Sequence, residues 1–399
     1  MPDIPQTMRA VVYRGVNDLR VETVPVPRLG AHELLVKVAV CGVCPTDIKK
    51  IQYGTVPPPR IFGHETAGTI VKIGGNRSSL VTRHSSLKIG DRVALHHHVP
   101  CLQCHFCRHR AFAQCETYQR TGITAGFEPA GGGYAEYVRV MKFVLPGVVK
   151  IPARNSFAEG AMLEPVNTVL KAIRRLNLLR GDRVMVAGQG PIGLMFTRLL
   201  HIAGMNVLAT DLLKSRLQLA KKFGAQWTMN VCRRRREESL TKNGKKQRFV
   251  TSSPTSPFDA AVIAVPSDAA VQQAFQLVRG GGQILLFAHT RRSAPVESRK
   301  SKVEGQNSSA LDLRPSTLDF TSICLDEKDL IGSYSSDFTL QAEVARLVFS
   351  RRLDVRPLLT HRFPLAQTAQ AIQLAARPTE NSLKIMIEQF DTLNGSIML

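Results

Sequence analysis

Residues 183–211 constrain the fold more than any other stretch of this chain. Val184-Met185-Val186-Ala187 reads as a short apolar strand that runs into Gly188-Gln189-Gly190-Pro191-Ile192-Gly193 and then an amphipathic helix, Ile192–Ala203. A second apolar strand, Asn206–Thr210, ends at Asp211. Each glycine answers a mechanical need. Gly188 permits a tight turn, Gly190 lets the backbone approach a pyrophosphate, and Gly193 lets the helix pack on the sheet. The pyrophosphate then meets free N–H groups and the positive end of the helix dipole. Strand, glycine loop, helix, strand and trailing acid together predict a dinucleotide site, with Pro191 and Ile192 in the loop that holds it. Asp211 predicts hydrogen bonds from ribose hydroxyls, which favours NAD over NADP; Lys214 and Arg216, just behind it, pull the other way.

The same alternation continues downstream. Ser215–Phe223 and Ala269–Leu277 have helical spacing, while Ala260–Ala264, Gln283–Phe287 and Asp329–Gly332 read as strands. Strands alternating with crossover helices predict a parallel, doubly wound sheet. Residues 1–140 have another texture, with short strands (Met8–Val12, Glu33–Val40, Gly68–Ile73, Asp91–Leu95, Tyr134–Val140) punctuated by Gly and Pro. Glu159–Leu176 reads as one helix, and Leu340–Phe349 and Leu365–Ala375 as surface helices of a closing segment. The expected domains are 1–166, 167–335 and a return segment, 336–399.

The chain has 399 residues, and 53 Lys+Arg against 31 Asp+Glu give a formal charge of +22. Taken alone, that charge points to nucleic acid or a membrane surface. Its distribution points elsewhere. Residues 231–257, with Arg233-Arg234-Arg235-Arg236, carry eight basic and two acidic groups, and residues 290–308 carry five and two. Both stretches are polar and lack apolar periodicity, so they read as solvated insertions in the second domain. No apolar run approaches the ~18–20 residues of a spanning helix, and Met1-Pro2-Asp3-Ile4 does not open a secretory signal. A cytoplasmic protein is expected, without a membrane partner.

Cys101, Cys104, Cys107 and Cys115 follow a C-x2-C-x2-C-x7-C spacing. Four thiolates on one loop close a tetrahedral zinc completely, which predicts a structural staple. A second set is dispersed: Cys44 in Cys41-Gly42-Val43-Cys44-Pro45-Thr46-Asp47, His64-Glu65 after Gly63, and Glu164-Pro165. Sulfur, nitrogen and carboxylate with one position left over suit a catalytic zinc. Spacing alone leaves Cys41 and Cys44 equally readable as small buried hydrophobes.

Taken with Gly90-Asp91-Arg92-Val93 and Gly132-Gly133-Tyr134-Ala135-Glu136-Tyr137, these landmarks make the chain resemble the zinc-containing medium-chain dehydrogenases/reductases, polyol (sorbitol-like) and threonine dehydrogenase branch. The resemblance implies a GroES-like β-barrel catalytic domain beside a Rossmann domain, an α/β architecture. It implies two zinc ions and NAD, with Cys44, His64, Glu65 and Glu164 around the catalytic metal. The implied reaction is oxidation of a secondary alcohol with hydride transfer to the nicotinamide. Thr46 would take the hydroxyl proton, and Lys49 stands where many relatives carry a relay histidine. A lysine there suits either a relay ending in water or a substrate bearing carboxylate or phosphate. The resemblance also implies a homo-oligomer, dimer or tetramer. Two alternatives stand beside this reading: a threonine or sugar-phosphate dehydrogenase, and a basic zinc protein binding nucleic acid through the four-cysteine lobe and Arg233–Arg236.

Overall fold

The computed structural model describes residues 4–75, 78–81, 86–96, 99–121, 131–231, 257–288 and 321–389. His97, His98, Cys232, the arginine run Arg233–Arg236 and nearly all of both basic stretches lie outside the described residues. The chain divides into two compact units, one of residues 1–173 and 334–399, the other of residues 174–333.

The first unit begins with strands β1 (Thr7–Gly15), β2 (Asp18–Pro25) and β3 (Leu34–Gly42), then helix α1 (Pro45–Tyr53). Strands β4 (Arg60–Ile61), β5 (Glu65–Ile73), β6 (Ser79–Val81), β7 (Ser86–Lys88) and β8 (Arg92–Ala94) follow. Short helices α2 (His105–Arg108) and α3 (Glu116–Thr121) precede β9 (Tyr137–Val140) and β10 (Val149–Lys150). β3 is the hub. β5 pairs antiparallel along its length, and β9 takes the other side at Leu34–Lys37. Alternation along β3 sends Leu34, Val36 and Val38 into one buried core and Cys41 into another, as the two-residue strand period requires.

The stretch expected as one helix over Glu159–Leu176 is two, α4 (Phe157–Ala161) and α5 (Leu163–Ile173), and it ends earlier. The reason is local. Pro165 has no N–H, and in a continuous helix its ring would strike the Ala161 carbonyl, so the chain breaks at Met162 and restarts with proline in the first turn. A capping box fixes the start of α4: Ser156 Oγ accepts from Glu159 N, and the Glu159 carboxylate accepts from Ser156 N at 2.7 Å.

The described residues of the second unit form six strands, β11 (Arg183–Ala187), β12 (Asn206–Asp211), β13 (Trp227–Asn230), β14 (Phe258–Ile263), β15 (Val278–Leu286) and β16 (Asp329–Gly332). All pairs are parallel, in the order β13-β12-β11-β14-β15-β16. That is the doubly wound order, which reverses direction beside β11. Helices α6 (Pro191–Ile202), α7 (Lys214–Lys222), α8 (Asp268–Leu277) and α9 (Thr321–Leu325) lie between the strands. Val184, Met185 and Val186 are fully buried, as a central parallel strand covered on both faces must be.

The return segment contains α10 (Gln341–Phe349) and α11 (Thr368–Ala376). It also contains two strands the periodicity does not announce, β17 (Leu359–Pro364) and β18 (Lys384–Glu388). β18 pairs with the end of β3 through Met386↔Gly42 and Glu388↔Val40, so this segment completes the first unit's main sheet. No helix among the described residues is long and apolar enough to cross a membrane.

Candidate metal centres and dinucleotide loop

Two strand ends of the first unit converge on one point. β3 ends at Gly42, and Cys44 follows as the N-cap of α1, with Pro45 at the first helical position. Opposite, Gly63 turns the chain at φ +96°, and a Cβ there would lie 2.8 Å from both Cys41 Sγ and the Tyr134 ring. Only glycine fits that turn, which delivers His64 and then Glu65 at the start of β5. The donor atoms of Cys44, His64 and Glu65 all lie within 4.8 Å of one another. Glu164, in the first turn of α5, is buried and lies outside that set.

The surroundings are strongly charged. His64 Nδ1 contacts Asp47 Oδ2 at 3.1 Å, and Asp47 is completely buried. Burial works against charge on His64, but Asp47 and then Cys44 outweigh it and hold the imidazole well above its ordinary value. Burial likewise works against the Asp47 carboxylate, and His64 overcomes it and holds the group below its usual range. With Nδ1 committed to Asp47, Nε2 is the nitrogen left for a metal, the usual carboxylate–histidine arrangement. Burial pushes Glu164 up to about 7. A close-set group of sulfur, imidazole and carboxyl donors is the chemistry of a divalent-cation site.

The cysteine lobe is as close-set. Cys104 and Cys107 sulfurs lie 3.5 Å apart, Cys101 and Cys107 3.9 Å apart, and Cys101 N donates to Cys115 Sγ at 3.3 Å. A backbone N–H from Gln103 holds the Cys101 thiol down at about 6, while burial pushes Cys107 up to about 12. Four crowded sulfurs cannot all ionise without a cation among them, and these four form a complete ligand set with no histidine. His105 instead packs on His109, ring centres 4.6 Å apart. His96 is fully buried 3.5 Å from Ser336, and burial drives its pKa to about 3, so it is neutral. Cys41 is buried against Thr66, and Cys324 is exposed.

In the second unit, the glycine loop sits at the end of β11, where the sheet order reverses. Gly188 has φ +88°. A Cβ on Gly193 would fall 1.7 Å from the Gly188 carbonyl oxygen, whereas a Cβ on Gly190 would meet nothing within 4 Å. Gly190 is the N-cap of α6 and offers no side chain to the N–H groups of the first turn. Those exposed donors and the open space over Gly190 fit a pyrophosphate. Asp211 accepts from Gln189 N at 2.6 Å and Leu213 N at 2.8 Å, so its carboxylate also braces the loop. Gln189 is a second brace, donating to Val186 O and accepting from Thr197 Oγ1. Arg216, on α7, is half-buried.

Comparison with known proteins matches residues 30–153 to the alcohol dehydrogenase GroES-like domain and residues 191–348 to the zinc-binding dehydrogenase domain. The chain belongs to the zinc-containing medium-chain dehydrogenase/reductase family. Sorbitol dehydrogenase of Bombyx mori is 28% identical over 384 residues, 95% of this chain and 97% of its own. Sorbitol dehydrogenase of Gallus gallus is 29% identical, covering 96% of each chain. Among solved structures, acetophenone reductase from Geotrichum candidum in complex with NAD superposes with a TM-score of 0.74 at 23% identity, over 98% of this chain and all of that one. 2R,3R-butanediol dehydrogenase from Bacillus subtilis gives 0.71 at 22%, over 96% and 100%. As a member of this family, the chain is an oxidoreductase of the zinc-binding alcohol dehydrogenase type.

Two functional groups of this dehydrogenase escape a linear reading. Asp47 is signalled only as a first-turn acid of α1, and its contact with His64 depends on β5. Lys384, at the start of β18, is buried and donates to Val43 O at 2.9 Å and Glu65 Oε1 at 2.5 Å. Thr46 and Lys49 both lie on α1 and are half-buried. Burial lowers the pKa of Lys49, with Cys44 opposing the shift.

Proposed function

We propose that this chain oxidises a secondary alcohol of the polyol class, as its curated sorbitol dehydrogenase relatives are named for doing, with Cys44, His64 and Glu65 holding the catalytic zinc. The observation that carries this is the convergence of those three donors within 4.8 Å, a mixed set that leaves a position for substrate. Zinc, when bound, supplies Lewis acidity at the substrate hydroxyl, and NAD is the hydride acceptor. The protein's part is positional and electrostatic. Asp47 fixes the His64 ring and tautomer through Nδ1. Cys44 is set at the N-terminus of α1, beside His64. Thr46, in the first turn of α1, takes the hydroxyl proton. Glu164, held near neutral pKa by burial, supplies a nearby carboxyl that either ligates or shuttles a proton. Cys101, Cys104, Cys107 and Cys115 hold the second zinc as a staple. Gly188, Gly190, Pro191, Ile192 and Gly193 cradle the pyrophosphate, and Asp211 takes the ribose, with Arg216 alongside.

Lys49 favours a second reading of the substrate. A half-buried ammonium on the helix that carries Cys44 suits an alcohol bearing carboxylate or phosphate, such as a sugar phosphate. The deciding experiment is NADH absorbance with polyols, amino alcohols and sugar phosphates, alongside zinc analysis. Two zinc per chain and chelator-sensitive turnover of a neutral polyol are expected. Activity confined to phosphorylated substrates would move the assignment to the second reading, and zinc-independent turnover would end both. On family likeness we take the protein to be a cytoplasmic homo-oligomer of two or four chains, which light scattering and cell fractionation read directly.

A further inference from the structure

Lys384 is buried, with a side chain 6% exposed, and its chemistry is not that of a core residue. An ammonium taken out of water costs several kcal/mol unless it is paired and hydrogen-bonded. Lys384 meets that need with the Val43 carbonyl and both oxygens of the Glu65 carboxylate. The backbone arranges the meeting. β18 pairs with β3 through Met386↔Gly42, and β5 pairs with the same residue through Gly42↔Glu65, so Lys384 and Glu65 approach from opposite sides of the β3 end. Gly42 makes room: a Cβ there would lie 1.9 Å from Glu65 Oε2 and 3.0 Å from the Lys384 side chain.

Glu65 is therefore shared. Its carboxylate belongs to the group with Cys44 and His64, and both of its oxygens are also held by an ammonium anchored to a main-chain oxygen. Carboxylate charge neutralised by a lysine is not fully available to a cation. We infer that Lys384 is a positioning residue that keeps Glu65 a weak ligand, so that the metal retains its pull on a substrate hydroxyl at the position the three donors leave open. The inference rests on the reading of Cys44, His64 and Glu65 as the catalytic centre. Removing the ammonium leaves a buried carboxylate whose remaining cation is the metal, and Glu65 then binds it more tightly.

The test follows release of the zinc not held by the four cysteines, from intact protein into a chromogenic chelator. Lys384→Met is expected to slow that release about tenfold, the low end of what partners of metal ligands contribute. The visible bands of the cobalt-substituted protein should change, and Lys384→Arg should restore both readouts. Lys384→Gln removes the charge but keeps an N–H donor on the side chain, so it reads the same effect if the methionine variant does not fold. In a Glu65→Gln background, Lys384→Met should change nothing, because there is no carboxylate left to restrain. Faster or unchanged release in both neutral variants, or an effect that persists without Glu65, overturns the role of Lys384. A wild-type protein holding a single zinc, in the four-cysteine lobe, overturns the catalytic-centre reading itself.

Discussion

Gly193 and Gly190 lie three residues apart, yet their substitution by alanine should fail in opposite ways. At Gly193 the added Cβ would sit 1.7 Å from the Gly188 carbonyl oxygen. Ordinary contact needs about twice that distance, so α6 or the loop must move by roughly 1.5 Å. The helix cannot slide freely, because Leu194, Met195 and Phe196 are fully buried behind it. Overpacking of this kind costs about 3 kcal/mol, a fall of roughly 6–12 °C in the melting temperature of a unit this size. At Gly190 the Cβ enters open space, so folding loses only the advantage of glycine over alanine as N-cap, under about 1 kcal/mol. That open space is where the pyrophosphate would lie, so NADH binding should weaken at least about tenfold, or about 1.4 kcal/mol. Calorimetry and NADH fluorescence titration on both variants separate the two effects. If Gly190→Ala binds NADH like wild type, or Gly193→Ala melts like it, the mechanical reading of the loop is wrong.

Three further outcomes follow from the geometry. Asp47→Asn should lower affinity for the catalytic zinc by ~10–100-fold while the four-cysteine zinc stays bound, as metal analysis after mild chelation would read. Cys107→Ser should leave the lobe one ligand short, so that one zinc is lost and the melting temperature falls, whereas Cys324→Ser, at an exposed position, should change neither. Glu159 accepts from Ser156, Asn155 and Arg351, and these donors overcome burial and hold its pKa below the usual carboxylate range. Its stabilising contribution is therefore complete above the ordinary carboxylate pKa and is lost as pH falls through the depressed folded value. Glu159→Gln should cost about 2 kcal/mol at neutral pH, and in acid unfolding curves the gap from wild type should close only below the ordinary carboxylate pKa, as pH falls through the depressed folded value.

The parts of the molecule legible in the chain are those whose chemistry is local. The glycine loop is one, since turn, close approach and helix start fall within six residues. The four-cysteine lobe is another, because one short loop supplies every ligand. β17 and β18 are not legible in this way: Thr360-His361-Arg362-Phe363 and Lys384-Ile385-Met386-Ile387 become strands because β3 offers an edge far away in sequence. Lys384 reads as a surface lysine until that pairing buries it. The break at Met162 was written in Pro165, but the apolar periodicity on either side of it concealed the interruption.

The pairing of β18 with β3 joins residues more than three hundred positions apart, with the whole second unit between them. Loop closure over that span must wait, whereas the parallel sheet of residues 174–333 is built from one continuous stretch. During synthesis the second unit can therefore take shape while the first still lacks an edge of its main sheet. Until β18 arrives, the end of β3 has an unsatisfied margin, and Glu65 has no lysine beside it. Synthesis of β18 thus becomes a checkpoint: the surroundings of Glu65 are complete only after residues 174–333 have already been made.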